Sequence, residues 1–261
     1  MNGIRKKLGR AIKRKMYGPK IRINYSGELD RLGSEYGGWV FVPDESLSGS
    51  TLLSCGLGED ASFDIEFAQK FGAKVVMVDP TPRAIAHFNS IVSSLGDPKS
   101  VEYSSSGNQT VASYNLREIT DRQLSLVQVA LSDSVGVAKF YAPSNPEDVS
   151  HSLVNFQNNY ADSTPAIEVP TVDFDTLIKN ENLSEISMVK FDIEGAEIVV
   201  VPAMIASGVC PKQVLIEFDE LNYPSPRARN NFQRVNQILT ELGYEAVYFD
   251  QRSCVTYVNW D

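Results

Sequence analysis

The chain has 261 residues, 43% hydrophobic and 22% charged. That is enough to bury the core of one large α/β domain or two small ones, and it excludes a disordered, collagen-like or disulfide-stapled protein. The net charge of −9 is unevenly spread: residues 1–22 hold nine basic side chains and no acid, leaving 33 acidic against 15 basic on the remainder, a balance that argues against nucleic acid as a substrate.

Residues 1–22 read as a basic amphipathic arm. Ile4, Leu8, Ile12 and Met16 fall at helical spacing, and Gly18-Pro19 ends the segment. As a helix, residues 1–20 would suit peripheral contact with an anionic membrane, or docking on the acidic body. Residues 23–261 are expected to form a single domain whose ligand-binding core begins near residue 51. From there the pattern is βαβ: strand Thr51–Cys55, a glycine loop, helix Ala61–Phe71, strand Lys74–Asp79 and helix Pro82–Leu95. A third strand is read at Leu126–Leu131 and a short one at Val137–Tyr141, before a long polar loop over 142–168. Then follow helix Asp173–Lys179, strand Met188–Ile193, a helix from Ala196, strand Gln213–Phe218, helix Arg227–Leu242 and two closing strands, Tyr244–Asp250 and Ser253–Trp260.

Such alternation predicts a mostly parallel sheet with helices on both faces. The closing antiparallel hairpin fits a Rossmann-like, seven-stranded class I methyltransferase fold better than a plain dinucleotide fold. No run of about 18 apolar residues marks a membrane span, and the first residues lack the apolar core of a signal peptide. Three scattered cysteines, Cys55, Cys210 and Cys254, form no CxxC pair. A cytoplasmic chain with reduced thiols is the expectation.

Four constellations carry chemistry. In Ser54-Cys55-Gly56-Leu57-Gly58-Glu59-Asp60, glycines let the backbone approach a ligand at a helix N-terminus, while the two acids disfavour a pyrophosphate and suit an amino group or the helix dipole. Asp79, ending the second strand before Pro80, offers two acceptor oxygens to vicinal ribose hydroxyls, in NAD or in S-adenosylmethionine alike. Ala130-Leu131-Ser132-Asp133 lies where an adenine would sit, or is a surface turn. In Lys190-Phe191-Asp192-Ile193-Glu194-Gly195-Ala196-Glu197, charges on a central strand require partners. Asp192 falls where a reacting centre would be, and Glu197 serves the helix dipole.

Together these segments resemble the FkbM-type methyltransferase family over roughly Thr51 to Tyr244, most specifically at Lys190–Glu197. The resemblance implies a S-adenosylmethionine-dependent enzyme, most often an O-methyltransferase on sugars or other hydroxylated metabolites. It places Gly56 and Gly58 around the methionine end, Asp79 on the ribose, Ala130–Asp133 near the adenine and Asp192 near the transferring methyl, with Cys55, Glu59 and Pro80 among the cofactor-binding residues. One departure is Asp219, where relatives often carry His after the Ile216-Glu217-Phe218 strand. Two alternatives stay open: a nucleotide-dependent oxidoreductase or sugar-modifying enzyme, and a non-catalytic adenosyl-binding module.

Methyl transfer to an alcohol needs in-line geometry and loss of the hydroxyl proton. His151, in the polar loop, is one candidate base, acting beside Asp192 and Lys190; His87 reads as a surface or helix-packing residue. The other solution is a hard cation such as Mg²⁺ held by Asp192, Glu217 and Asp219. The acceptor pocket is expected from residues 23–50, 142–168 and 219–230, with Trp39, Tyr160 and Tyr223 as stacking aromatics.

Overall fold

A computed structural model describes residues 12–141 and 166–261. Most of the basic arm, the polar loop, His151 and Tyr160 lie outside the described residues. Residues 12–17 are helical, with Ile12 and Met16 exposed and Gly18 closing the turn onto the Arg14 carbonyl.

The core is a seven-stranded sheet. In chain order its strands are β3 (Thr51–Cys55), β4 (Lys74–Val78), β5 (Leu124–Val127), β9 (Met188–Phe191), β10 (Gln213–Glu217), β11 (Tyr244–Phe249) and β12 (Cys254–Asn259). They lie in the order β11-β12-β10-β9-β3-β4-β5, and β12 runs antiparallel to both of its neighbours. The central strands carry buried side chains on both faces, the signature of a covered parallel sheet: β9 is buried at all four positions, and β3 at four of five. One face, bearing Leu53, Cys55, Val189, Phe191 and Ile216, packs under α3 (Phe174–Glu181), α4 (Glu197–Ala206) and α5 (Pro226–Glu241). The other packs under α1 (Ser62–Phe71), α2 (Pro82–Ser93) and the hairpin β1 (Asp30–Leu32) and β2 (Trp39–Phe41).

Residues 23–50 are thus tied into the fold. Phe41 meets Phe63, Phe67 and Phe71 edge-on, and the buried Gln213 amide grips both backbone groups of Val42, at 3.0 and 2.7 Å. Local chemistry sets the helix ends. Pro82 begins α2, Asp173 caps α3 through the Thr176 amide, and Ser225 caps α5 through Ala228. Pro202 inside α4 cannot donate to Ile198, and the Arg234 guanidinium from α5 takes that carbonyl at 2.8 Å. The proline's gap becomes a clamp between two helices.

The expected third strand is two elements. The run breaks after Val127, so β5 stays in the main sheet. Ala130–Leu131 becomes β6 of a separate three-stranded sheet with β7 (Gly136–Tyr141) and β8 (Ala166–Val172). β8 overlaps the expected loop: its alternation is masked by Pro170, which pairs with Val137 on the short sheet.

Candidate active site

The carboxyl ends of β3, β4, β9 and β10 open into a cavity of about 660 Å³, where ligands of open α/β sheets bind. Gly56 turns the chain at φ +90°, and a Cβ there would sit 1.8 Å from the Asp192 carbonyl oxygen. Its amide donates to Val78 at 3.0 Å and its carbonyl accepts the Lys190 ammonium at 2.7 Å. The protein's own backbone therefore fills the space a side chain at Gly56 would take, while Gly56 itself lines the cavity. Gly58, at φ +56°, faces open space.

Asp79 is fully engaged. One oxygen accepts the Leu57 and Gly58 amides, both at 3.0 Å; the other accepts the Thr81 amide and hydroxyl at 2.8 and 2.7 Å. Four donors fill the acceptor positions of a carboxylate. Thr81 holds the N-cap position of α2 but spends its hydroxyl on Asp79. The two acids of the loop also have internal partners. Glu59 pairs with Arg83, while Asp60 accepts the Ser34 hydroxyl at 2.6 Å, the Gln109 amide at 3.2 Å and the Ser62 amide at 3.0 Å. Asp60 therefore holds the first amide of α1 and ties the N-terminal hairpin to the site. Cys55 and Pro80 line the cavity, and burial pushes the Cys55 thiol up, away from thiolate chemistry. Ala130 and Leu131 line the cavity beside Val129 and Phe140, whereas Ser132 and Asp133 do not, since the Ser132 amide is turned to Val172 at 3.0 Å.

Lys190 is buried mid-strand, its ammonium on the Gly56 carbonyl, 3.5 Å from the Ser54 hydroxyl and 5.6 Å from the Trp39 ring centre. Among the described residues it makes no ion pair, yet its charge favours the ionised forms of Asp192 and Asp64. Asp192 follows β9 directly, with its amide on Cys55 at 2.9 Å. The chain then reverses through Glu194 at φ +53° and Gly195 at φ +96°. Burial pushes the Asp192 carboxyl up; Lys190 offsets this and Asp79 adds to it.

Facing Asp192 across the cavity are Glu217, ending β10, and Asp219. Glu217 accepts the Ser253 hydroxyl at 3.0 Å and the Asn222 amide at 3.3 Å; Asp219 accepts Asn222 at 3.2 Å and leaves its other oxygen buried with no partner. Burial, reinforced by the neighbouring acids, pushes both carboxyls up to about 7. Glu197 is more than a dipole partner. It is wholly buried, accepts the Gly195 and Asp219 amides, each at 2.9 Å, and burial holds its carboxyl well above the usual range. The Mg²⁺ expectation is corrected: among the described residues no three carboxylate, His or Cys groups converge as a metal would need, so Asp192, Glu217 and Asp219 share a cavity without forming a ligand set. Of the two readings of His87, surface or helix-packing, the structure shows the packing one: it is buried and bonded through Nε2 to the Tyr114 hydroxyl at 2.8 Å.

Tyr36, Gly37 and Trp39 from the N-terminal hairpin line the cavity, as expected for residues 23–50, but Tyr223 does not. Sequence reasoning missed Ser253 and Asn222, which orient the acids, and Arg252 at the rim. The signal for Ser253 was its place in the turn of the closing hairpin, whose tip reaches the carboxyl end of β10: the Phe218 amide bonds to the Ser253 carbonyl at 2.9 Å. The family described as Methyltransferase FkbM domain matches residues 34–246. No curated protein matches the chain.

Proposed function

The chain belongs to the FkbM methyltransferase family, and from that premise we propose that it transfers a methyl group from S-adenosylmethionine to a hydroxyl of a sugar or other small hydroxylated molecule. The observation that carries this reading is one cavity lined by a glycine turn, by Asp79 at the tip of β4 and by the carboxyls of Asp192, Glu217 and Asp219. Its volume suits a nucleoside-sized donor beside an acceptor. Bound there, S-adenosylmethionine supplies an electrophilic methyl group on a sulfonium centre.

The protein's part is positioning and proton removal. Gly58 leaves room for the methionine end, Ala130 and Leu131 give an apolar wall for the adenine, and Asp79 takes the ribose hydroxyls. Since four donors already hold Asp79, ribose binding exchanges some of them, so the loop amides of Leu57 and Gly58 move when the donor binds. Asp192 stands at the centre, locked against Gly56, where its charge favours the sulfonium. Glu217 and Asp219, poised near neutrality, take the acceptor proton as it leaves. Lys190 acts through the backbone by fixing the Gly56 carbonyl.

The test is transfer of label from methyl-tritiated S-adenosylmethionine to a panel of sugars and hydroxylated small molecules. Calorimetry with S-adenosylmethionine and NAD runs beside it. Label transfer that is lost in Asp192→Asn supports the reading; NAD binding with no affinity for S-adenosylmethionine ends it.

A further inference from the structure

A second cavity, of about 260 Å³, lies beside the first. Its walls are the helical segment 12–17 with Gly18 and Pro19, and the hairpin turn at Gln251 and Arg252; Leu221 and Phe249 also line it. Three cations converge there: Arg14, Lys15 and Arg252. None of them makes an ion pair among the described residues, although acids outnumber bases heavily outside the arm. The Arg14 Nε–H is buried and has no acceptor among the described residues. An unpaired buried donor on a charged group is costly, and an acceptor supplied by a ligand removes that cost.

Arg252 lines both cavities. Its turn is stiff: Asp250 accepts the amides of Arg252, Ser253 and Cys254 at 2.7, 2.9 and 3.0 Å, with Gln251 held at φ +66°. A guanidinium on a fixed turn, a second one with a buried N–H that lacks an acceptor among the described residues and a lysine on the same walls match the oxygens and charge of a phosphate group better than a single carboxylate.

We propose that this pocket binds a phosphate ester, and that the acceptor is a phosphorylated hydroxyl compound whose phosphate lies here while its hydroxyl faces Glu217 and Asp219. The placement of the hydroxyl rests on the methyl-transfer reading; the phosphate site does not. It narrows the acceptor class from hydroxylated molecules in general to those bearing phosphate, whether soluble or carried on a lipid headgroup.

The test titrates the full chain with inorganic phosphate and with glycerol 3-phosphate at constant ionic strength, following the arginine Nε–H signals by ¹⁵N NMR. In parallel, the chain is sedimented with phosphatidylcholine vesicles with and without phosphatidylglycerol. We expect a saturable shift of the Arg14 Nε–H, with affinity falling about tenfold or more in Arg14→Gln and in Arg252→Gln. Lys15→Gln, at an exposed position that packing does not need, falls by a smaller factor. Saturation only by phosphatidylglycerol vesicles, sensitive to the same substitutions, assigns the site to a headgroup phosphate. No saturable response to any probe, or one that survives all three substitutions, overturns the proposal. Phosphate binding in a chain with no affinity for S-adenosylmethionine leaves the pocket standing and removes the methyl-transfer reading instead.

Discussion

The contact between Gly56 and Asp192 joins the loop after β3 to the turn after β9, and a pair of alanine substitutions measures it. Gly56 and Gly58 are two residues apart in one loop, both at positive φ, and a propensity argument treats them alike. The geometry does not. At Gly58 a methyl group meets nothing within 4 Å, so Gly58→Ala costs only the left-handed backbone, about 1–2 kcal/mol. At Gly56 the same methyl lies 1.8 Å from the Asp192 oxygen, and the turn after β9 must separate from the end of β3. That threatens the Asp192–Cys55 and Gly56–Val78 backbone bonds and the Lys190–Gly56 bond, each worth about 1 kcal/mol net. Added to the backbone strain, Gly56→Ala should cost about 4–6 kcal/mol, at the upper end for single substitutions. In Tm this is about 3–5 °C for Gly58→Ala against 10 °C or more for Gly56→Ala. Scanning calorimetry of both variants, with guanidinium unfolding as a check, reads the difference. Equal losses, or a Gly56→Ala protein within about 1 kcal/mol of wild type, would refute the reasoning and with it the claim that the two ends of the cavity are mechanically joined.

Label transfer should rise with pH through about 7 and then level off, because Glu217 and Asp219 accept a proton only after losing their own. A fall across that range would remove them as bases. The same burial sets an opposite trend in stability: the folded chain holds protons that the unfolded chain sheds in the ordinary carboxylate range. Urea midpoints should therefore decline as the pH climbs from there through about 7. Asp79→Ala should weaken S-adenosylmethionine binding about tenfold or more by calorimetry. In the wild type, the donor should alter hydrogen exchange at Leu57 and Gly58; an unchanged loop would mean that Asp79 never leaves its internal partners. Arg234→Met should cost about 1–3 kcal/mol in denaturant unfolding, through the orphaned Ile198 carbonyl, with donor affinity intact; an unshifted midpoint would show that water serves the carbonyl equally well.

The alternation of strands and helices from Thr51 onward was legible because the central strands are short, mostly apolar runs separated by helical stretches. That Gly56, Asp79 and Asp192 line one cavity was legible for a related reason: they stand where such runs stop. What periodicity misses is whatever depends on a partner far along the chain. The break between Val127 and Ala130 follows from β8 capturing Ala130–Leu131, and nothing local announces it. The acidity of Glu217 and Asp219 is set by burial and by each other. The roles of Ser253 and Asn222 depend on a turn that reaches the end of β10. Lys190 was flagged as a charge needing partners, but a carbonyl and an indole, rather than an acid, supply them.

The placement of β12 between β10 and β11 has a consequence for synthesis. A ribosome releases β11 before the strand that will attach it to the sheet. A chain that lacks β12 therefore leaves one edge of β10 unpaired, and nothing then holds β11 in the sheet. Ser253, the hydroxyl partner of Glu217, arrives with the strand that closes this border. Sheet closure and completion of the acid wall are then one event.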